Sequence, residues 1–145
     1  MWRISMSGNI LVVDVGESIV GLQRVHHGKY VPYYGDKRVR ALERLELADE
    51  VVTYNGNRYD IEKLNELSLR LRDKKFRMRG IHTDMQEVCW PGILGSSLSN
   101  TYAHYCDTKK SFPDTYEGSN RWDVYKTLML WRYWKDNGNF NWDAV

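Results

Sequence analysis

Val51-Val52-Thr53-Tyr54-Asn55-Gly56-Asn57-Arg58-Tyr59-Asp60-Ile61-Glu62-Lys63-Leu64 is the stretch on which the reading of this chain turns. Glu50 to Tyr54 is a short, β-rich apolar run, the pattern of a strand buried in a sheet. Asn55-Gly56 breaks it. After Tyr59 the period changes, and Ile61, Leu64, Leu67, Ser68 and Leu71 mark the inner face of an amphipathic helix. Positions 60, 64, 67 and 71 fall on one helical stripe, so Asp60 stands at the N-terminal end of that buried face. A carboxylate aimed at a core is costly without a partner, and a divalent cation is one such partner. The other reading is an acid that stabilises the first helical turn through the helix dipole.

Working outward, Asn9 to Val15 (NILVVDV) is a second strand buried on both faces. Ser18 to Val25 and Lys29 to Tyr34 are two further β-rich runs, separated by His26-His27-Gly28 as a hairpin turn and closed by Gly35-Asp36. Val39, Leu42 and Leu45 then line a helix that starts near Lys37. Beyond the deciding stretch the pattern predicts a strand near Met78 to Thr83, a short helix over Ser97 to Cys106 and a polar surface loop from Asp107 to Asn120. Trp122 to Trp134 is a helix with apolar residues nearly all round, buried on several sides or seated at an interface. This order predicts an α/β fold with a mixed sheet, a three-strand antiparallel meander plus parallel strands, flanked by helices. No repeat or linker divides it, so residues 1–145 are expected to form a single domain.

A chain of 145 residues can bury a core without disulfides, and Cys89 and Cys106 are too few and too far apart for a disulfide framework or a zinc motif. Both are expected to be reduced, buried thiols in the cytoplasm. The net charge of +2 is too small for a broad basic field, so any nucleic-acid contact must be local. No apolar run approaches the ~20 residues that span a bilayer, and Met1 to Met6 lacks the apolar stretch of a signal peptide. No membrane partner is therefore expected.

The deciding stretch resembles the second motif of the DEDD-type 3′–5′ exonucleases of the ribonuclease H-like superfamily. In particular it is similar to the bacterial and phage branch written Tyr-Asn-Gly-x-x-Phe-Asp. Gly80 to Met85, with Asp84, is similar to the strand that follows this motif, and Asn120 to Leu128, with Asp123, resembles the third motif, Asp-Val-x-x-Thr. The likeness runs from about Asn9 to Trp134. It implies a ribonuclease H-like sheet with the first strand central, antiparallel to the second and parallel to the Glu50–Tyr54 strand. It also implies two Mg²⁺ or Mn²⁺ ions held by Asp14, Glu17, Asp60 and Asp123, and hydrolysis of phosphodiester bonds of DNA or RNA from a single-stranded 3′ end. Asn55, Asp84 and Lys126 are the expected substrate-binding residues.

Two departures stand out. The family places Asp-x-Glu on the first strand, but Gly16 occupies the Glu position and Glu17 comes one residue late. Either a β-bulge at Gly16 swings Glu17 back to the face of Asp14, or the acid has been lost. The family also places a Tyr four residues, or a His five residues, before the third-motif Asp, where this chain has Ser119 and Gly118. A catalytically inactive ribonuclease H-like domain kept for binding or assembly is therefore the alternative. A restriction-endonuclease reading fails, because no Asp/Glu-x-Lys follows Pro113-Asp114. The basic run Arg70, Arg72, Lys74, Lys75, Arg77 and Arg79 either tracks a nucleic-acid backbone or is a solvated face. Trp131 and Trp134 serve either a core or a homodimer interface through the C-terminal helix.

Overall fold

A computed structural model describes residues 8–57, 59–89, 97–106 and 112–138. The strands are β1 (Ile10–Val15), β2 (Ile19–Arg24), β3 (Val31–Tyr34), β4 (Glu50–Thr53) and β5 (Ile81–Asp84). The helices are α1 (Arg38–Leu47), α2 (Asp60–Arg72), α3 (Met85–Cys89), α4 (Leu98–Tyr105) and α5 (Tyr116–Asn137), with a 3₁₀ turn over Gly35–Lys37. The sheet order is β3-β2-β1-β4-β5. β1 pairs antiparallel with β2 and parallel with β4, β2 pairs antiparallel with β3, and β4 pairs parallel with β5. The expected mixed sheet with a central first strand is observed.

Period-two alternation along β1 sorts its side chains between two cores. Leu11, Val13 and Val15 face Leu42, Leu45, Leu64 and Leu67 of α1 and α2. Ile10 and Val12 face Met85, Val124, Leu128 and Trp131 of α3 and α5. Asp14 belongs to the second set, so its carboxylate leaves the sheet toward α5, near the carboxyl end of β1. Trp131 is 5% exposed and its Nε1 donates to Glu50 Oε2 at 3.3 Å, which commits it to the core. No described helix is long and apolar enough to cross a membrane.

The C-terminal helix corrects one expectation. It begins at Tyr116, inside the stretch read as loop, where Thr115 caps it by accepting the Gly118 N–H at 2.9 Å. Gly118, Ser119 and Asn120 are weak helix formers and hide this start from propensity. Residues 107–111 of the expected loop lie outside the described residues. The fifth strand is also displaced, to Ile81–Asp84, because Arg79 N–H is spent on Glu46 O and bonding alongside β4 begins only with Ile81 N–H to Asp49 O. The short helix α3 was not expected at all.

Candidate active site

Asp14, Asp60 and Asp123 reach the carboxyl edge of the sheet from three separate elements. Asp14 arrives from β1 by strand alternation. Asp60 is the first residue of α2 and only 3% exposed, with the Val15 N–H donating to its carboxylate. Asp123 comes from α5 and lines a cavity of about 260 Å³ together with Asp14, Tyr59, Tyr116 and Asn120. Burial raises the proton affinity of Asp14 well above the carboxylate range, and the charges of Asp60 and Asp123 raise it further. Burial likewise pushes Asp60 up to about 7, offset by the Val15 N–H and reinforced by Asp84 and Asp123. Asp123 is raised by burial and held down in part by the Lys126 ammonium. The three acids feel one another, and none of them forms an ion pair among the described residues.

Asn120 holds the first of these acids in place. Its Nδ2 donates to both Asp14 O and Asp14 Oδ2, at 3.0 and 3.1 Å, and its Oδ1 accepts the Tyr30 hydroxyl at 2.7 Å. The amide lies so close to β2 that a Cβ on Gly21 would collide with Asn120 Oδ1, which explains a glycine inside a strand. Tyr30 and Asn120 were missed as site residues. Once α5 is known to start at Tyr116, the stripe Tyr116, Asn120, Asp123 follows from helical spacing.

Glu17 is not brought to this cluster. The β1–β2 ladder stays regular to Val15↔Val20, and the Gly16 N–H donates to Ile19 O at 2.8 Å, so Glu17 and Ser18 form a tight turn without a bulge at Gly16. Glu17 is exposed and lines a different cavity, with Arg38, Lys63 and Arg70. Tyr116 fills the space above Gly16 instead. Its hydroxyl accepts the Ser18 N–H at 3.2 Å and would stand 2.7 Å from a Cβ at position 16.

The three expected substrate-binding residues are mostly occupied with structure. Asp84 is 5% exposed and accepts N–H groups from Asn55, Asn57 and Gln86 at 2.6, 3.2 and 3.1 Å, fixing the loop that delivers Asp60. Asn55 supplies the left-handed turn at φ 65°, a conformation Asn tolerates better than most residues. Lys126 is buried, donates to Ser99 Oγ at 2.8 Å and lies 4.6 Å over the Trp122 ring, which turns it toward α4. Most of the basic run beyond Arg70 is also diverted. Arg72 forms a two-pronged pair with Glu46 at 2.8 and 3.0 Å, and Lys74, Arg77 and Arg79 precede β5, at the opposite edge of the sheet from the acids.

Residues 18–142 match a family described as the RNase_H superfamily. The chain belongs to the RNase_H superfamily. No curated protein matches it. An RNase_H superfamily domain is a nuclease-type fold, and its five-stranded mixed sheet flanked by helices agrees with that architecture. The match begins after Asp14, so the place of Asp14 rests on the β1–β4 pairing and on Asn120. Nucleases of the RNase_H superfamily generally use divalent metals, and the donor chemistry here fits one. The trio consists of hard oxygen ligands, and their proton affinities are raised by burial, offset by a nearby cation only at Asp123, where Lys126 acts. Among the described residues no three His, Cys, Asp or Glu side chains already stand at ligating distance, so an ion would have to draw the carboxylates inward.

Proposed function

We propose that this RNase_H superfamily chain is a metal-dependent 3′–5′ exonuclease-like nuclease that hydrolyses phosphodiester bonds of DNA or RNA. The observation that carries this reading is the convergence of Asp14, Asp60 and Asp123, three buried or half-buried carboxylates from separate elements: burial raises the proton affinity of each, and the charge of Asp123 raises Asp14 and Asp60 further. Asp14, Asp60 and Asp123 would hold Mg²⁺ or Mn²⁺; Glu17 would join them only if the β1–β2 turn rearranged. Two such ions, when bound, would supply activation of the attacking water and stabilisation of the leaving 3′ oxygen.

The chain's own residues do the positioning. Asn120 orients the Asp14 carboxylate, the Val15 N–H holds Asp60, and Asp84 fixes the loop between them. Tyr59, 48% exposed at the cavity, offers a ring on which a terminal base can stack. A single-stranded 3′ end is the proposed substrate, from the likeness of the second motif. Cys89 and Cys106 are buried free thiols, which suits the proposed cytoplasmic setting. A homodimer through α5 would have to use the partly buried Tyr133 and Trp134, since Trp131 belongs to the core.

The inactive-domain reading draws on one observation, the Tyr116 hydroxyl standing where the family's Glu side chain would begin. Release of mononucleotides from 3′-labelled single-stranded DNA and RNA in Mn²⁺ separates the two, with Asp14→Asn and Asp60→Asn as controls. Release by the wild type that both variants abolish supports the nuclease. Equal release from all three is contamination, and the inactive domain then stands.

A further inference from the structure

Directly beside the acid cavity lies a second one of about 130 Å³, between the β1–β2 turn, the first turn of α1 and the outer flank of α2. The two cavities share Val15 and Gly16, so they meet at the carboxyl end of β1. The second is far smaller than the roughly 300–1,000 Å³ of a pocket that encloses a whole organic ligand. Its charged walls are Arg38, Lys63 and Arg70 against Glu17 and Glu66, a net excess of one positive charge. Neither Lys63 nor Arg70 has an ion-pair partner among the described residues. Arg38 is aimed by its own bonds, Nε to Gly35 O at 2.9 Å and Nη1 to Glu17 O at 3.4 Å.

Lys63, Glu66 and Arg70 follow one another along a single stripe of α2, and Tyr59 caps the helix just before it. Tyr59 lines the acid cavity, the Lys63 ammonium lies 5.3 Å over the Tyr59 ring, and Arg70 continues the line outward. An aromatic platform followed by spaced cations is the arrangement that tracks a single strand: the ring takes a base and the cations take the backbone. The Lys74–Arg79 run cannot serve this path, because it sits at the other edge of the sheet.

We infer that the cavity lined by Arg38, Lys63 and Arg70 is a subsite for one backbone phosphate of a single-stranded nucleic acid whose terminal nucleotide lies over Tyr59 at the acids. This rests on the proposed nuclease reading for its orientation, and on the cavity alone for its chemistry. Glu17 and Glu66 oppose the phosphate and keep binding weak enough for the strand to move.

The test is fluorescence anisotropy of a short labelled oligothymidylate, titrated at several salt concentrations in Mg²⁺ with Asp60→Asn protein, which removes hydrolysis. Lys63→Ala/Arg70→Ala should flatten the slope of log K against log salt by roughly 0.7, the value of one phosphate contact on a single strand. Glu17→Gln should tighten binding, a gain that misfolding cannot imitate. Lys74→Ala/Arg77→Ala at the far edge should leave the slope unchanged. An unchanged slope in Lys63→Ala/Arg70→Ala, a drop in the far-edge variant instead, or no binding by the Asp60→Asn protein overturns the subsite. A wild type that hydrolyses while Lys63→Ala/Arg70→Ala binds normally keeps the nuclease and loses the subsite. A wild type that never hydrolyses but binds through this cavity does the reverse.

Discussion

Asp60→Asn removes the charge that burial penalises most legibly. The folded state holds the Asp60 proton up to about 7, against an ordinary value of 3.8. The folded chain therefore binds that proton more tightly than the unfolded chain, and stability falls as pH rises from about 4 through about 7. At ~1.4 kcal/mol per unit, the shift costs the metal-free protein about 4 kcal/mol at pH 8 but only about 1.5 kcal/mol at pH 5, where folded Asp60 is still protonated. Asn has no such penalty, although it loses about 1 kcal/mol as the Val15 N–H exchanges a carboxylate for an amide oxygen. The advantage of Asp60→Asn should accordingly grow by about 2.5 kcal/mol between pH 5 and pH 8. At roughly 2–4 °C per kcal/mol for a chain of this size, that is about 5–10 °C. Thermal melts of both proteins in EDTA at the two pH values measure it. A variant that is destabilised at pH 8, or whose advantage is the same at both pH values, refutes the claim that Asp60 is an uncompensated buried acid.

Three further outcomes follow from the same geometry. Gly16→Glu should lower stability by about 1–3 kcal/mol through overpacking against Tyr116 and Ile19, and Tyr116→Ala in the same chain should return part of that loss in a denaturant titration. Asn120→Ala should cost about 1–3 kcal/mol, because the Tyr30 hydroxyl and Asp14 lose their buried partner, and its melting temperature reads this out. Thr115→Ala should cost about 1 kcal/mol by uncapping α5, seen as a lower denaturant midpoint with an unchanged slope.

Periodicity made most of the fold legible. The two-face burial of Asn9–Val15 and the 3.6 stripe from Asp60 to Leu71 were enough to set a central strand and to turn Asp60 inward. Asp14 and Asp123 could be named from motif likeness, but that they meet depends on β1 lying beside β2 and β4, a long-range pairing that local pattern does not encode. Glu17 turned on one register: β1–β2 pairing held to Val15↔Val20 closes a tight turn rather than a bulge. Tyr116 and Asn120 were hidden because Gly118 and Ser119 disguise the first turn of a helix. The basic run divides for a related reason: Arg72 serves Glu46, and Lys74, Arg77 and Arg79 lie at the far edge, while Arg70, one helical turn earlier, lines the cavity near the acids with Arg38 and Lys63.

The central claim is that Asp14, Asp60 and Asp123 form one divalent-cation site. Isothermal titration of Mn²⁺ into the wild type, Asp14→Asn, Asp60→Asn and Asp123→Asn tests it most directly, with the melting temperature of each followed in parallel. The wild type should bind Mn²⁺ with release of protons near pH 6, because Asp60, held up to about 7, is still largely protonated there, and its melting temperature should rise by mass action. Each single variant should lose most of that affinity and most of the thermal gain. Mn²⁺ binding that survives all three substitutions undiminished, or no binding by the wild type at millimolar Mn²⁺, would contradict the account.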